Sequence, residues 1–133
     1  MAMPHFHERD APHWYIHLEM DVLDSEAAIT YLRKQTQIEE DNGMWAFEFF
    51  ADNPESPKKL TLIECFPSDS SQIAHLENIR IEEFKSIFTN FNLEVYGNLP
   101  ESALERMRAA GFWPPEFKGR FKHMPYFMGF RRG

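Results

Sequence analysis

The chain reads as an α+β domain in which helices cover one face of a four-stranded antiparallel sheet. Two observations predict it. Strand-like segments of apolar, aromatic and branched residues fall at 13–21, 44–52, 59–66 and 93–97. Helix-forming segments separate the first from the second and the third from the fourth, and the hairpin-like pair in the middle is joined by a short polar loop. Strand, helix, strand, strand, helix, strand is the split βαβ, or ferredoxin-like, order.

In the first strand, HWYIHLEMD, Trp14, Ile16, Leu18 and Met20 share one face and His13, Tyr15, His17 and Glu19 the other, because strand side chains alternate. The second set contains metal-ligand residue types. Alternate residues on a strand lie about 6.6–7 Å apart and His13 to His17 about twice that, so no metal site is expected from them. Helix formers run from Ser25 to about Asn42, with Asp24 or Ser25 as N-cap, Ala28, Ile29, Leu32 and Ile38 as the apolar stripe, and Gly43 as the stop. MWAFEFFAD and KLTLIECF then form the hairpin. Ser68 or Asp69 caps a helical piece, and Phe84, Ile87, Phe88 and Phe91 carry the three-and-four spacing of a second. LEVYG at 93–97 is the fourth strand. Pro100 opens a further helix with Leu104 and Met107 on one face, ended by Gly111.

Residues 1–12 are expected to be a flexible terminus and 13–111 the domain proper. Residues 112–133 contain seven aromatics and three prolines, too apolar for a free tail and too broken for a long helix. This extension is expected to pack on its own domain or on a second subunit. With helices on one side only, the other sheet face, including side chains such as Phe50 and Ile63, needs cover. Pairing two sheets face to face supplies it, so a homodimer, a dimeric α+β barrel, is expected.

Composition narrows the partners. The 43% hydrophobic and 15% aromatic content is that of a globular domain, and thirteen Phe allow an apolar cavity beside the core. A net charge of −7 argues against nucleic acid. The charge is divided: residues 1–105 carry −13 and residues 106–133 carry +6, so the basic end is expected to lie against acidic surface. No apolar run of eighteen residues and no secretory leader pattern occur, so a soluble, cytoplasmic protein with no membrane partner is expected. The single cysteine, Cys65, falls inside a strand, where a buried and inert thiol is the usual state.

The segments GMWAFEFFADNP, LTLIECFPSDSSQIAHL and LEVYG, in this order, resemble the antibiotic-biosynthesis-monooxygenase-like proteins over about residues 13–105. The family has a strand ending in an acid and an aromatic, followed by a histidine-bearing helix. The resemblance implies a dimeric α+β barrel. It leaves the chemistry open among cofactor-free oxygenases, haem-degrading enzymes, an isomerase and proteins without assigned activity. The haem-degrading branch places an asparagine, a tryptophan and an iron-binding histidine where this chain has Leu18, Phe66 and Lys85. A protonated lysine is a poor substitute for imidazole on iron, so haem is not expected.

Glu64 alternates with Leu60, Leu62 and Phe66 on the strand face expected to meet the helices, and His75 follows eleven residues later on the next helix. The pair is the expected catalytic couple. Imidazole titrates near neutrality and can abstract a proton from a phenol, hydroquinone or hydroxyketone, with Glu64 orienting it. Trp45, Phe47, Phe49, Phe66 and Leu18 are expected to line a small aromatic or enolisable substrate. Deprotonation would give an electron-rich carbanion able to react with oxygen, so no metal, flavin or other cofactor is expected. The function expected is a cofactor-independent monooxygenase. Its alternatives are an isomerase or tautomerase of a small hydroxyketone in the same pocket, and a non-enzymatic dimeric ligand-binding or stress module.

Overall fold

The computed structural model describes residues 4–8 and 11–132. A five-stranded sheet forms the centre: β2 (Trp14–Val22), β3 (Ala46–Ala51), β4 (Lys59–Phe66), β5 (Phe88–Gly97) and β6 (Arg120–Met124), ordered β3-β4-β2-β5-β6. The first four strands pair antiparallel in the ferredoxin-like order. A fifth strand, not anticipated, adds β6 parallel to β5. Four helices complete the domain: α1 (Ser25–Glu39), α2 (Asp69–Asn78), α3 (Ile81–Ile87) and α4 (Glu101–Ala109).

The alternation in β2 carries into three dimensions. Trp14, Ile16, Leu18 and Met20 are buried, and Leu18 sits between Leu62 of β4 and Leu93 of β5. Together with Phe66, Phe84, Phe88 and Val95 they make the core between sheet and helices. At the end of β5 the chain passes very close to β2. Gly97 has φ +125°, and a Cβ there would stand 2.8 Å from the Cβ of Trp14.

Two elements depart from their sequence patterns. The buried stripe of α1 is Ala28, Tyr31, Gln35 and Glu39, while Ile38 is exposed and Ile29 and Leu32 are only half-buried. Contact with α2 and α3 rotates the helix so that polar residues face inward. The helix expected to run through Phe91 stops at Ile87 instead, because Phe88 and Thr89 pair with Val22 and Asp21 of β2. The phenylalanines still cluster: Phe84 stacks on Phe91 at 5.6 Å and meets Phe88 at 4.9 Å. Strand pairing overrode a local helical pattern without losing its packing.

The two chain ends pair with each other where they are described, and Arg131 of the C-terminal end reaches Tyr15. Residues 4–8, placed in the expected flexible terminus, form β1 (Pro4–Glu8), which pairs antiparallel with β7 (Met128–Arg132). The rest of that terminus, apart from residues 11 and 12, lies outside the described residues. Within 112–131, Trp113 meets Phe121 at 4.8 Å and Phe112 stacks on Phe117 at 6.1 Å. Lys122 reaches Glu94, one contact of the basic end with an acidic neighbour.

Candidate functional site

Glu64 stands in the middle of β4, opposite Ile16 on one side and Phe47 on the other, so its carboxylate has apolar flanks. The strand period that buries Leu60, Leu62 and Phe66 also drives this acid inward, where it is 6% exposed. Helix α2 starts three residues after β4 ends and lays His75 over the strand, with its ring 5.7 Å from Phe66 and 5.8 Å from Phe47. His75 Nε2 lies 3.2 Å from Glu64 Oε2, yet the two are not aligned as a hydrogen bond, and Oε2 has no hydrogen-bond partner in the protein. The fold brings these two side chains into contact.

A third member was not anticipated. Glu39 Oε2 is hydrogen-bonded to His75 Nδ1, and both groups are buried. Glu39 is the last residue of α1, where the helix dipole disfavours a carboxylate, so the imidazole supplies its compensation. The signal was in the sequence. Tyr31, Gln35 and Glu39 recur every four residues, a polar line along one helix face.

Electrostatics set this array apart from an ordinary ion pair. Burial pushes the Glu64 carboxyl up to about 7, with His75 opposing and Glu39 adding to the rise. Burial also disfavours the His75 imidazolium, but the carboxylates of Glu64 and Glu39 outweigh it and raise its pKa above the ordinary value. A histidine with a raised pKa and a carboxyl pushed up to about 7 thus stand at contact distance and titrate as a coupled pair.

The pair opens on a cavity of about 70 Å³ between sheet and helices, whose walls include Leu18, Phe47, Phe49, Phe66 and Tyr31. Four of the five residues expected to line the pocket are there. Trp45 is not: it is 40% exposed, its ring 5.6 Å from that of His13 and 4.9 Å from the guanidinium of Arg131. Arg131 donates to Tyr15 Oη at 2.8 Å, on the other face of the sheet. Regular pairing of β3 begins at Ala46, so alternation from Phe47 and Phe49 does not extend back to Trp45.

Other candidate groups fall outside the cavity. Cys65 is buried beside Tyr15, and burial pushes its thiol up, away from nucleophilic reactivity. Lys85 is exposed and donates to the Ala110 carbonyl at 3.2 Å. Among the described residues no helix is long and apolar enough to cross a membrane.

No protein-family model matches the chain, and no curated protein matches it in sequence. Solved structures do match. MupZ from Pseudomonas fluorescens superposes with a TM-score of 0.59 at 16% identity, over 86% of this chain and 87% of MupZ. Protein SO0527 from Shewanella oneidensis gives 0.52 at 15% identity, over 68% of this chain and 94% of its own. SnoaB from Streptomyces nogalater, a cofactor-independent oxygenase, gives 0.51 at 7% identity, over 68% and 95%. At these identities the likeness is one of fold. It agrees with the fold implied by the resemblance to antibiotic-biosynthesis-monooxygenase-like proteins.

Proposed function

We propose that the protein is a cofactor-independent enzyme that removes a proton from a small enolisable molecule, with His75 as the base. The observation that carries this reading is the buried Glu39–His75–Glu64 array, of which His75 and Glu64 line an apolar cavity. With Nδ1 held by Glu39, the neutral imidazole presents its Nε2 lone pair beside Glu64. A proton arriving at Nε2 makes an imidazolium between two carboxylates. That charge is stabilised by groups already in place, in a site that excludes bulk water.

Oxygenation is one outcome of such a carbanion, as a second reactant can take its electrons. Cavity size favours the alternative outcome, isomerisation or tautomerisation. A cavity of about 150 Å³ accommodates benzene, whereas this one is about 70 Å³. An aromatic substrate would require the half-buried Phe47 and Phe49 on the edge strand to move apart. We further infer a homodimer formed through the sheet face that carries Phe50, which is 53% exposed. A monomeric mass by light scattering at micromolar concentration would overturn that inference.

The function is tested with deuterium exchange in D2O, using small hydroxyketones and hydroquinones with and without oxygen. Exchange or turnover that disappears in His75→Ala, while circular dichroism stays native, supports the reading. Unchanged turnover in that variant removes His75 as the base. Oxygen uptake coupled to turnover would establish the oxygenase, and turnover persisting under argon the isomerase.

A further inference from the structure

Tyr31 carries a hydroxyl that packing alone does not call for. The residue is 2% exposed, its ring lies 6.1 Å from each of Phe84 and Phe88, and the Arg80 guanidinium covers it at 4.5 Å. A phenylalanine would make the same contacts. The hydrogen of that hydroxyl nevertheless finds no acceptor in the protein, although the Arg80 backbone N–H lies near its oxygen. A buried polar group left unpaired costs about 1–3 kcal/mol, so its presence asks for a partner from outside the chain.

The other polar groups of the cavity wall are differently placed. Gln35 donates to the Asn78 carbonyl and accepts from Arg80, each at 3.2 Å. The side-chain oxygen of Gln72 accepts from Arg106 at 2.8 Å. What remains buried and without a hydrogen bond among the described cavity-lining residues is one donor-capable hydroxyl, on Tyr31, and one acceptor, Oε2 of Glu64, with the base His75 beside the latter.

We propose that the cavity takes a compact α-hydroxycarbonyl compound, its carbonyl oxygen accepting from Tyr31 and its hydroxyl donating to Glu64. This deepens the proton-abstraction reading and rests on it for the reaction, though not for the recognition. By scaling from the cavity of about 150 Å³ that holds benzene, the volume admits about three non-hydrogen atoms as it stands, so the smallest α-hydroxycarbonyls enter with the least displacement of the walls. In the reaction the C–H bond beside the carbonyl breaks and its proton passes to His75 Nε2. The electron pair becomes the carbon–carbon double bond of an enediolate, whose negative oxygen is the one Tyr31 holds. Return of the proton to the same carbon restores the substrate; return to its neighbour completes an isomerisation when Glu64 takes the hydroxyl proton and delivers one to the former carbonyl oxygen. Neither route consumes an oxidant. Tyr31 thereby acts as an oxyanion-stabilising donor, sharpened by the cation over its ring.

The test uses hydroxyacetone and glycolaldehyde in D2O, with exchange at the carbon bearing the hydroxyl followed by proton NMR, and binding followed by shifts of the protein resonances. Wild-type protein is expected to exchange both. Tyr31→Phe should lower the exchange kcat about a hundredfold, with thermal stability unchanged or raised. Glu64→Gln should weaken binding as well as exchange, a KM effect that a purely structural Tyr31 would not accompany. Wild-type rates in Tyr31→Phe overturn the proposal. So does turnover of hydroquinones by a protein that neither binds nor exchanges hydroxyacetone, a result that leaves proton abstraction standing. Hydroxyacetone bound in a Tyr31-dependent manner without exchange supports the recognition and overturns the proton-abstraction reading instead.

Discussion

The two faces of the sheet hold their charged groups in opposite ways. On the outer face His17 lies 3.3 Å from Glu94, Lys122 reaches Glu94, and Lys59 holds Asp21 at 2.8 Å, all with partial access to solvent. On the inner face Glu39, His75 and Glu64 are shut away from water, with carboxylate oxygens on both acids lacking a hydrogen-bond partner. Exposed pairs contribute little and cost little. A buried array with unpaired oxygens is costly, and a fold seeking only stability would fill the same space with apolar side chains. The inner face therefore carries a cost in stability that the outer face avoids, the pattern expected where a site overrides packing.

Removing the imidazole breaks this contrast most directly. His75→Ala leaves two buried carboxylates without a cation, and a loss of about 3–5 kcal/mol is expected from breaking a buried pair, less where the acids can protonate. Urea unfolding at pH 7 should show it as a lowered denaturant midpoint. An unchanged midpoint would mean that the array contributes nothing net to stability.

A pH profile of stability sharpens the comparison next. The folded-state pKa of Glu64, about 7, lies above its ordinary 4.5. The folded state therefore binds the proton more tightly. Stability should fall as pH rises from about 4.5 towards 7, by a few kcal/mol at most. His75 acts in the same direction, since its raised pKa contributes stability that is full below 6.5 and is lost as pH passes its folded value. The two share coupled protons, so their slopes do not add. Glu64→Gln should flatten most of this slope in denaturant midpoints measured between pH 5 and 8. An unaltered slope would place the titration elsewhere.

Two smaller effects complete the series. Tyr31→Phe should shift stability by no more than about 1 kcal/mol and in the favourable direction, because it removes an unpaired buried hydroxyl. A clear destabilisation would show that the hydroxyl serves the fold. On the outer face, His17→Ala should cost about 0.2–1 kcal/mol, with a contribution that fades as salt increases. A salt-independent loss above that range would erase the distinction between the faces.

Strand alternation made the inward position of Glu64 legible, and the short turn after it placed His75 above the same strand. Both depend on residues near in sequence, where the backbone period alone sets direction. Glu39 was hidden for a different reason. It lies 36 positions from His75, and only the docking of α1 on α2 brings them together. The apolar stripe Ala28, Ile29, Leu32 and Ile38 pointed to another rotation of that helix, and the one adopted turns Tyr31, Gln35 and Glu39 inward. Trp45 was misplaced because alternation holds only within regular pairing, and its residue stands just before β3 begins.

Local periodicity and turn chemistry thus determined the order of elements, the inner face of each central strand, and the meeting of Glu64 with His75. The tertiary structure decided the rotation of α1, the third member of the array, the parallel strand β6 and the size of the cavity. These depend on how whole elements pack against one another, and packing is settled by summed burial and shape complementarity across the domain rather than by any one segment's pattern.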